Sequence, residues 1–208
     1  MLEGIHWLGH ASVRIDDEVV IYVDPWKVGE GKPADLILVT HGHHDHLSPD
    51  DIARLSTPET VIVCPTSCAD EISGDVRTVS VGESLQVGPV LIEAVPSYNV
   101  DKPNHPKEAG NVGYVIVVGG RRIYHAGDTD LIPEMADIQC DVALLPAGGT
   151  YTMDADEAVQ ALARIKTQVA VPIHWGEIVG SEEDAQRFKD QAPEGVEVVI
   201  LEEEEGES

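Results

Sequence analysis

Two short runs of apolar residues constrain the fold of this chain more than any other feature. Val19–Val23 and Leu36–Val39 are apolar at every position, without the alternation of a strand that keeps one face in water. Such runs are typical of strands covered on both faces. We therefore predict strands at Val19–Val23 and Asp35–Val39. Further valine-rich segments bounded by Gly, Pro and Asp predict strands at Ser12–Ile15, Val61–Cys64, Val76–Ser80, Ser84–Val87, Val90–Ala94, Val112–Val118, Arg121–His125, Val142–Leu145, Val169–Pro172 and Val196–Leu201.

Helix signals are fewer and lie mostly in the second half of the chain. Asp154 and Glu157 form the pattern of a capping box. The predicted helices are Ala155–Ile165 and Ser181–Ala192, with shorter ones at Pro49–Leu55 and Ser67–Ile72. Strands early and β–α alternation late predict an α/β (α+β) fold of sheets covered by helices. At this length the whole chain, 1–208, is expected to form a single domain that ends in an acidic tail at about 202–208.

The composition excludes several classes of protein. Thirteen Lys and Arg against 38 Asp and Glu give a formal net charge of −25, which excludes a nucleic-acid binder that works through bulk basicity. A hydrophobic fraction of 42% excludes a disordered chain. No apolar run approaches the roughly 20 residues that span a bilayer, and the N-terminus lacks a signal-peptide pattern, so no membrane partner is expected. Three cysteines make no even disulfide framework, which favours the cytoplasm.

One segment carries most of the chemical signal. It directly follows the predicted strand Asp35–Val39 and reads Thr40-His41-Gly42-His43-His44-Asp45-His46. Imidazole and carboxylate side chains together are a ligand set for zinc, manganese or iron. In a tight loop His41 and His43 can converge on one ion, while Asp45 and His46 turn toward a second. The segment therefore predicts a two-ion site, with His44 pointing to solvent.

Two later segments also place such residues where a predicted strand ends. Asp128, in Gly127-Asp128-Thr129, can bridge two cations through its two oxygens. His174, in Ile173-His174-Trp175, offers one more imidazole. Three strand ends that each present ligands predict one shared rim.

These residues together resemble the motifs of the metallo-β-lactamase fold hydrolases: His41-x-His43-x-Asp45-His46, then Gly127-Asp128-Thr129, then His174. More narrowly, the chain resembles the small single-domain group near L-ascorbate-6-phosphate lactonase at Gly9-His10-Ala11, Asp24-Pro25, Tyr124-His125-Ala126-Gly127-Asp128-Thr129 and Thr152-Met153-Asp154. The resemblance implies a four-layer αβ/βα sandwich, with two mixed sheets flanked by helices. It also implies two divalent metal ions, zinc or manganese, along one edge of the sheets.

The resemblance further implies a role for each residue of the site. It assigns His41 and His43 to the first ion, and Asp45, His46 and His174 to the second, with Asp128 bridging. Asp24 matches an acid that buttresses the histidine loop and orients a ligand from behind. His10 and His125 lie beside glycine-bearing strand ends, where they either support the ligands or simply pack.

One position departs from the family pattern. The family often supplies a further histidine to the first ion from mid-chain, where this sequence has Ala94-Val95-Pro96-Ser97-Tyr98-Asn99. We expect His105 to take that place. Otherwise the first ion has fewer protein ligands and binds more water or substrate.

The site predicts a metal-dependent hydrolase, in which an activated water attacks a small ester, lactone or phosphate-bearing substrate. Asp45 and Asp128 are the expected catalytic residues. An anionic small molecule suits the charge of the ions, and Lys102 and Lys107 either contact it or lie in solvent. One alternative is a phosphodiesterase acting on RNA or cyclic nucleotides, although the lack of a basic arm disfavours a nucleic-acid partner. The other alternative is a non-catalytic metal-binding protein. A homo-oligomer is compatible with the sequence.

The acidic excess gives a first testable prediction. A net charge of −25 repels itself in dilute buffer, and salt screens that repulsion. We therefore predict a halophilic protein whose unfolding midpoint is higher in molar salt than in low salt. Equal midpoints in the two conditions would favour the alternative, an acidic mesophilic protein.

Overall fold

A computed structural model of the chain describes residues 1–204. Its α-helices are α1 (Pro49–Leu55), α2 (Ala155–Leu162) and α3 (Glu182–Asp190), and 3-10 helices span Thr66–Glu71, Lys107–Ala109 and Pro133–Asp137. Its strands are β1 (Ile5–Trp7), β2 (Val13–Asp16), β3 (Val20–Val23), β4 (Ala34–Leu38), β5 (Ser56–Pro65), β6 (Asp75–Val79), β7 (Ser84–Val87), β8 (Val90–Pro96), β9 (Val112–Val118), β10 (Arg121–His125), β11 (Val142–Pro146), β12 (Val169–Ile173) and β13 (Glu197–Val198).

The strands form two mixed sheets. The first has the order β1-β2-β3-β4-β5-β6, and the second has the order β13-β12-β11-β10-β9-β8-β7. In the first sheet β1 to β3 are antiparallel and β3 to β6 are parallel. In the second, β7 to β10 are antiparallel and β10 to β13 are parallel. Because parallel strands end at the same edge, β4 to β6 and β10 to β12 each deliver their following loops to one edge of their sheet.

Alternate side chains of β4 connect the layers of the first sheet. Leu36 and Leu38 lie in an apolar cluster that also contains Ile116 of β9, so this cluster fills the space between the two sheets. Ile37 points the other way and packs in a second cluster with Leu55 of α1. Both faces of β4 are therefore buried, which is why its sequence is apolar without alternation.

The second sheet repeats this arrangement with its own helices. Leu144 of β11 lies in the cluster between the sheets, whereas Ala143 and Leu145 face an outer cluster with Ala158 of α2 and Phe188 of α3. The order helix, sheet, sheet, helix confirms the predicted αβ/βα sandwich with two mixed sheets.

The helix signals read from the sequence correspond to hydrogen bonds. The Asp154 side chain accepts from the backbone N–H of Glu157 at 2.8 Å, and Glu157 accepts in return from the N–H of Asp154 at 3.0 Å. This capping box starts α2, as predicted. No helix within residues 1–204 combines the length and the apolar character needed to cross a membrane.

Several predicted elements differ from the structure at their bounds. β1 lies ahead of the first predicted strand and was not itself predicted. Its three residues are too few to show a hydrophobic pattern, and they pair with β2 only after the turn brings the two strands together. β5 starts at Ser56 rather than Val61, and β13 contains only Glu197–Val198 of the predicted Val196–Leu201. The predicted helix Ser67–Ile72 is a 3-10 helix at Thr66–Glu71.

Part of the predicted acidic tail is joined to the first sheet. Glu203 forms a parallel bridge with Trp7 of β1, and the backbone N–H of Glu204 donates to the Trp7 carbonyl at 2.8 Å. The Glu204 carboxylate also pairs with the guanidinium of Arg14 at 2.8 Å. The remainder of the predicted tail, 205–208, lies outside the described residues.

Phe188 provides a test of how α3 is held on the second sheet. Its ring is fully buried in the outer cluster. Phe188→Ala should lower the free energy of unfolding by about 3–5 kcal/mol, because it removes apolar contacts and leaves a cavity. Phe188→Leu keeps most of the volume and should cost clearly less. Denaturant unfolding at fixed salt measures both values, and equal losses in the two variants would contradict this packing.

Candidate metal centre

The predicted ligands come from four chain segments that meet at one edge of the sandwich. The histidine loop 41–46 follows β4, Asp128 follows β10, and His174 follows β12. His105 lies in the long connection between β8 and β9. A hydrogen bond from the backbone N–H of Val112 to the Thr40 carbonyl, 3.1 Å long, joins the two sheets beside the site.

The first group of potential ligands contains three imidazoles. Nε2 of His41 and Nε2 of His105 lie 3.1 and 3.0 Å from Nδ1 of His43. His41 and His105 are buried, whereas His43 is exposed. The structure thus brings His105 to the two histidines expected at the first ion, and its role as a ligand stays a prediction.

The second group contains the three residues expected at the second ion, together with His10. Its ligand atoms, one each from His10, Asp45, His46 and His174, all lie within 4.8 Å of one another. Oδ2 of Asp45 is 3.0 Å from Nε2 of His10 and 3.6 Å from Nε2 of His46. The His10 and His174 rings lie 4.0 Å apart between centroids. All four side chains are buried, so this group closes the inner side of the site.

The Asp128 carboxylate lies between the two groups. Its Oδ2 is 3.3 Å from Nε2 of His105 in the first group and 3.1 Å from Nε2 of His174 in the second. Its Oδ1 is 3.2 Å from Nε2 of His46. One carboxylate therefore reaches both groups, which is the position that a bridging ligand requires.

The side chains fit divalent metal ions better than they fit one another. Nε2 of His46, Nε2 of His174 and Oδ1 of Asp128 are buried, yet within residues 1–204 none of them makes a hydrogen bond, because their short contacts lack hydrogen-bond geometry. A buried polar atom without a partner costs about 1–3 kcal/mol. Imidazole nitrogens and carboxylate oxygens that converge in this way match the donor set of zinc or manganese.

The surroundings favour the metal-binding protonation state at His41 and Asp128 but not at His46. Burial lowers the pKa of His41 well below its usual value, and the nearby His46 adds to this effect. Burial alone would raise the pKa of Asp128, but His174 and His46 hold it well below its usual range. A neutral imidazole and an ionised carboxylate are the forms that bind a cation. Burial alone would lower the pKa of His46, yet Asp128 and Asp24 raise it well above its usual value, so a metal ion has to displace a proton there.

Asp24 holds the histidine loop from behind, as the resemblance implies. The fully buried carboxylate accepts hydrogen bonds from the backbone N–H and the hydroxyl of Thr40, at 2.8 and 2.6 Å. It also accepts from Nδ1 of His46 at 2.7 Å. Thr40 in turn contacts Nδ1 of His41 at 3.0 Å. Asp24 therefore orients two of the potential ligands.

His10 and His125 have different surroundings, although their positions beside glycine-bearing strand ends predict the same role for both. His10 belongs to the second ligand group, and its carbonyl accepts from the backbone N–H of His174 at 2.7 Å. His125 contacts no ligand atom; its Nε2 donates to the carbonyl of Ala11 at 2.9 Å, and its Nδ1 accepts from the N–H of Gly127 at 3.2 Å. His125 thus fixes the turn that precedes Asp128.

Sequence reasoning missed the residues that hold His105 in place. Oδ1 of Asn99 accepts from the backbone N–H of His105 at 2.9 Å and lies 3.0 Å from its Nδ1. The Asn99 amide donates to Oδ1 of Asp130 at 3.1 Å. The available signal was that Asp130 lies two positions after Asp128, and that Asn99 ends the segment lacking the family histidine.

The two lysines considered as anion contacts are both engaged in ion pairs. Nζ of Lys102 lies 2.5 Å from Oδ1 of the buried Asp130. Nζ of Lys107 lies 2.8 Å from Oε1 of Glu134. Lys107 is exposed, as in the solvent alternative, whereas Lys102 is half-buried against Asp130, and contact of either lysine with an anion stays a prediction.

The cysteines beside the histidine loop are packing residues. Cys64 and Cys68 lie in the cluster between the first sheet and α1. Burial raises the pKa of Cys64 to about 12 and that of Cys68 to about 11. Both thiols therefore stay protonated at neutral pH, whereas a metal ligand would be a thiolate.

Comparison with known proteins gives one consistent family. Residues 4–174 match the family described as "Beta-lactamase superfamily domain". A UPF0173 metal-dependent hydrolase of Methanopyrus kandleri is 35% identical over an alignment of 221 positions, which covers 95% of this chain and 96% of the relative. The crystal structure of a proposed metal-dependent hydrolase from Parabacteroides distasonis is 33% identical, with a TM-score of 0.81 over 95% of this chain and 93% of that one. Igni18, a metallo hydrolase from Ignicoccus hospitalis, shares the fold at 24% identity, with a TM-score of 0.78 over 97% of this chain and 95% of its own.

His105 can be tested as a ligand by counting bound metal. His105→Ala removes one of three imidazoles in the first group, so the purified variant should hold about one equivalent of metal less than the parent protein, for which we expect two. His44→Ala is the matched control, because His44 lies in the histidine loop with its ring exposed. Elemental analysis after dialysis gives both counts. Two full equivalents in the His105 variant would exclude the ligand role.

Proposed function

The chain belongs to the metallo-β-lactamase superfamily and is a metal-dependent hydrolase, and from this premise we propose that it cleaves a small ester, lactone or phosphate-bearing molecule with an activated water. Its likeness to L-ascorbate-6-phosphate lactonase is only a loose similarity, because the closely matching relatives carry the name UPF0173 metal-dependent hydrolase. The proposal concerns the substrate class, the number of ions and the residues that act.

One observation carries the proposal. Ligand atoms of two groups, at His41, His43 and His105 and at Asp45, His46 and His174, meet on either side of the Asp128 carboxylate. Such a set suits two divalent ions, each bound by three or four protein atoms. Zinc and manganese are the ions we propose, because both accept imidazole and carboxylate together.

Two ions so bound would supply a water of lowered pKa as the nucleophile and would polarise the bond to be broken. The protein's own part is to position the reactants. Oδ2 of Asp128 lies near both groups and its Oδ1 lies near the second group, while Asp45 is held by His10 at 3.0 Å. We propose that Asp45 accepts a hydrogen bond from the attacking water and orients it. In ester hydrolysis, the hydroxyl of that water bonds to the acyl carbon, and its proton leaves with the alcohol oxygen.

We propose a small molecule rather than a nucleic acid as the substrate. The net charge of −25 opposes the approach of a polyanion, and the lysines nearest His105 are already paired with acids. A small substrate, neutral or singly anionic, meets less repulsion.

A panel of chromogenic substrates tests the reaction class. The purified protein, loaded with zinc or manganese in high salt, is assayed with a carboxylic ester, a lactone and a phosphodiester. Turnover of the ester or lactone is the expected result. Turnover of the phosphodiester alone would support the alternative of a phosphodiesterase, and turnover of none by protein with two ions bound would contradict the proposal.

Asp128 is the residue whose loss should affect binding and catalysis together. Asp128→Ala removes the carboxylate between the two groups, so metal content should fall and kcat should drop by at least a hundredfold. Asp137→Ala is the control, because Asp137 is an exposed acid on the nearby 3-10 helix. Elemental analysis and steady-state kinetics give the two readouts. An Asp128 variant that keeps both ions and parental activity would rule out the bridging role.

A further inference from the structure

A side pocket of about 410 Å³ lies next to the metal centre. Its walls come from the residues that follow β5 and β6, from the end of β8, and from the connection that carries His105. We name it the side pocket, and its lining includes Ser67, Val79, Val81, Ser97, Tyr98 and Ala109.

Two walls of the side pocket touch the segments that carry ligands. Cys68 follows the lining residue Ser67. Gly42, between His41 and His43, has no side chain, but a Cβ added to it would lie 3.7 Å from Sγ of Cys68. Oγ of the lining residue Ser97 would lie 3.1 Å from a Cβ on Gly127, which precedes Asp128. The pocket therefore adjoins both the histidine loop and the turn before Asp128.

The third wall places the pocket on the open side of the centre. Lys107 and Ala109 line it, and they follow His105 within four residues. His105 belongs to the first ligand group, whose exposed member is His43. The second ligand group is buried throughout. A substrate that approaches the centre past His43 thus arrives beside the side pocket.

The lining of the side pocket contrasts with the rest of the chain. The chain has 38 acidic residues, yet none of those within residues 1–204 lines this pocket. Val81, at its rim, is 43% exposed, which makes it one of few large apolar side chains that face solvent within residues 1–204. Its one lysine, Lys107, has its charge compensated by Glu134 and lies over the Tyr98 ring at 4.4 Å. The surface offered to a ligand is therefore apolar and close to neutral.

We propose that the side pocket binds the apolar acyl chain of an ester or lactone whose carbonyl lies at the metal centre. This inference rests on the proposed function and narrows its substrate class. Val79 and Val81 of the lining contact that chain. The enzyme accordingly prefers medium-length acyl esters over acetyl esters and over phosphate-bearing substrates.

A series of esters with one leaving group tests this preference. The metal-loaded protein is assayed with 4-nitrophenyl acetate, butyrate and hexanoate, and kcat/KM should rise by up to about fourfold for each methylene that is fully buried. Val81→Asp places a charge at the pocket rim and should abolish the rise, so that kcat/KM no longer increases from acetate to hexanoate. Val100→Asp is the matched control, because Val100 is exposed (57%), does not line the pocket, and changes the net charge equally.

The outcomes separate this inference from the proposed function. If the esters are hydrolysed with no dependence on chain length, or with the same dependence in Val81→Asp, the proposed function stands and the side pocket is not the acyl site. If no ester is hydrolysed, the proposed function fails for esters, and binding of hexanoate is measured by saturation-transfer NMR. Transfer to the hexanoate methyl group that is lost in Val81→Asp and kept in Val100→Asp supports the pocket. Absence of transfer, or its retention in Val81→Asp, overturns it.

Discussion

The buried carboxylate of Asp24 is the interaction on which the rest of the site depends. An ionised carboxylate can only accept hydrogen bonds, so its contact with Nδ1 of His46 fixes the proton on that nitrogen. When the His46 imidazole is neutral, Nε2 is therefore the nitrogen without a proton, and it faces Asp128. The Thr40 hydroxyl gives its proton to Asp24 and therefore accepts from Nδ1 of His41, which leaves Nε2 of His41 bare as well. One buried acid thus sets the tautomers of two potential ligands.

Backbone conformation supplies the second constraint. Asp24, His10 and His174 have φ values of 47°, 48° and 57°, in the left-handed region that non-glycine residues rarely occupy. Each such residue costs of the order of 1–3 kcal/mol and persists only when its surroundings hold it there. The hydrogen bond from the N–H of His174 to the His10 carbonyl joins two of these positions. Strain therefore concentrates where ligand direction matters, and the two packed sheets hold it in place.

The sequence predicts the fold and most of the site because both depend on local patterns. The apolar run around Ile37 indicates burial on both faces of a strand, and the spacing from His41 to His46 indicates a loop of metal ligands. Asn99 could not be given a role, because its partner His105 is six positions away in a connection without regular pattern. β1 was missed for a similar reason, since three residues carry no periodicity and pair only through a turn.

Charge explains why an acidic chain can still bind a substrate at this edge. Two divalent ions would outweigh the carboxylates of Asp45 and Asp128, so the centre itself would be positive while the chain as a whole is strongly negative. A polyanion is attracted to the positive centre, but the negative surface repels it along the rest of its length. A neutral ester is not repelled by the surface, and the partial negative charge on its carbonyl oxygen is still attracted to the centre. The absence of acids from the lining of the side pocket then matters, because an acyl chain would lose affinity beside each desolvated carboxylate.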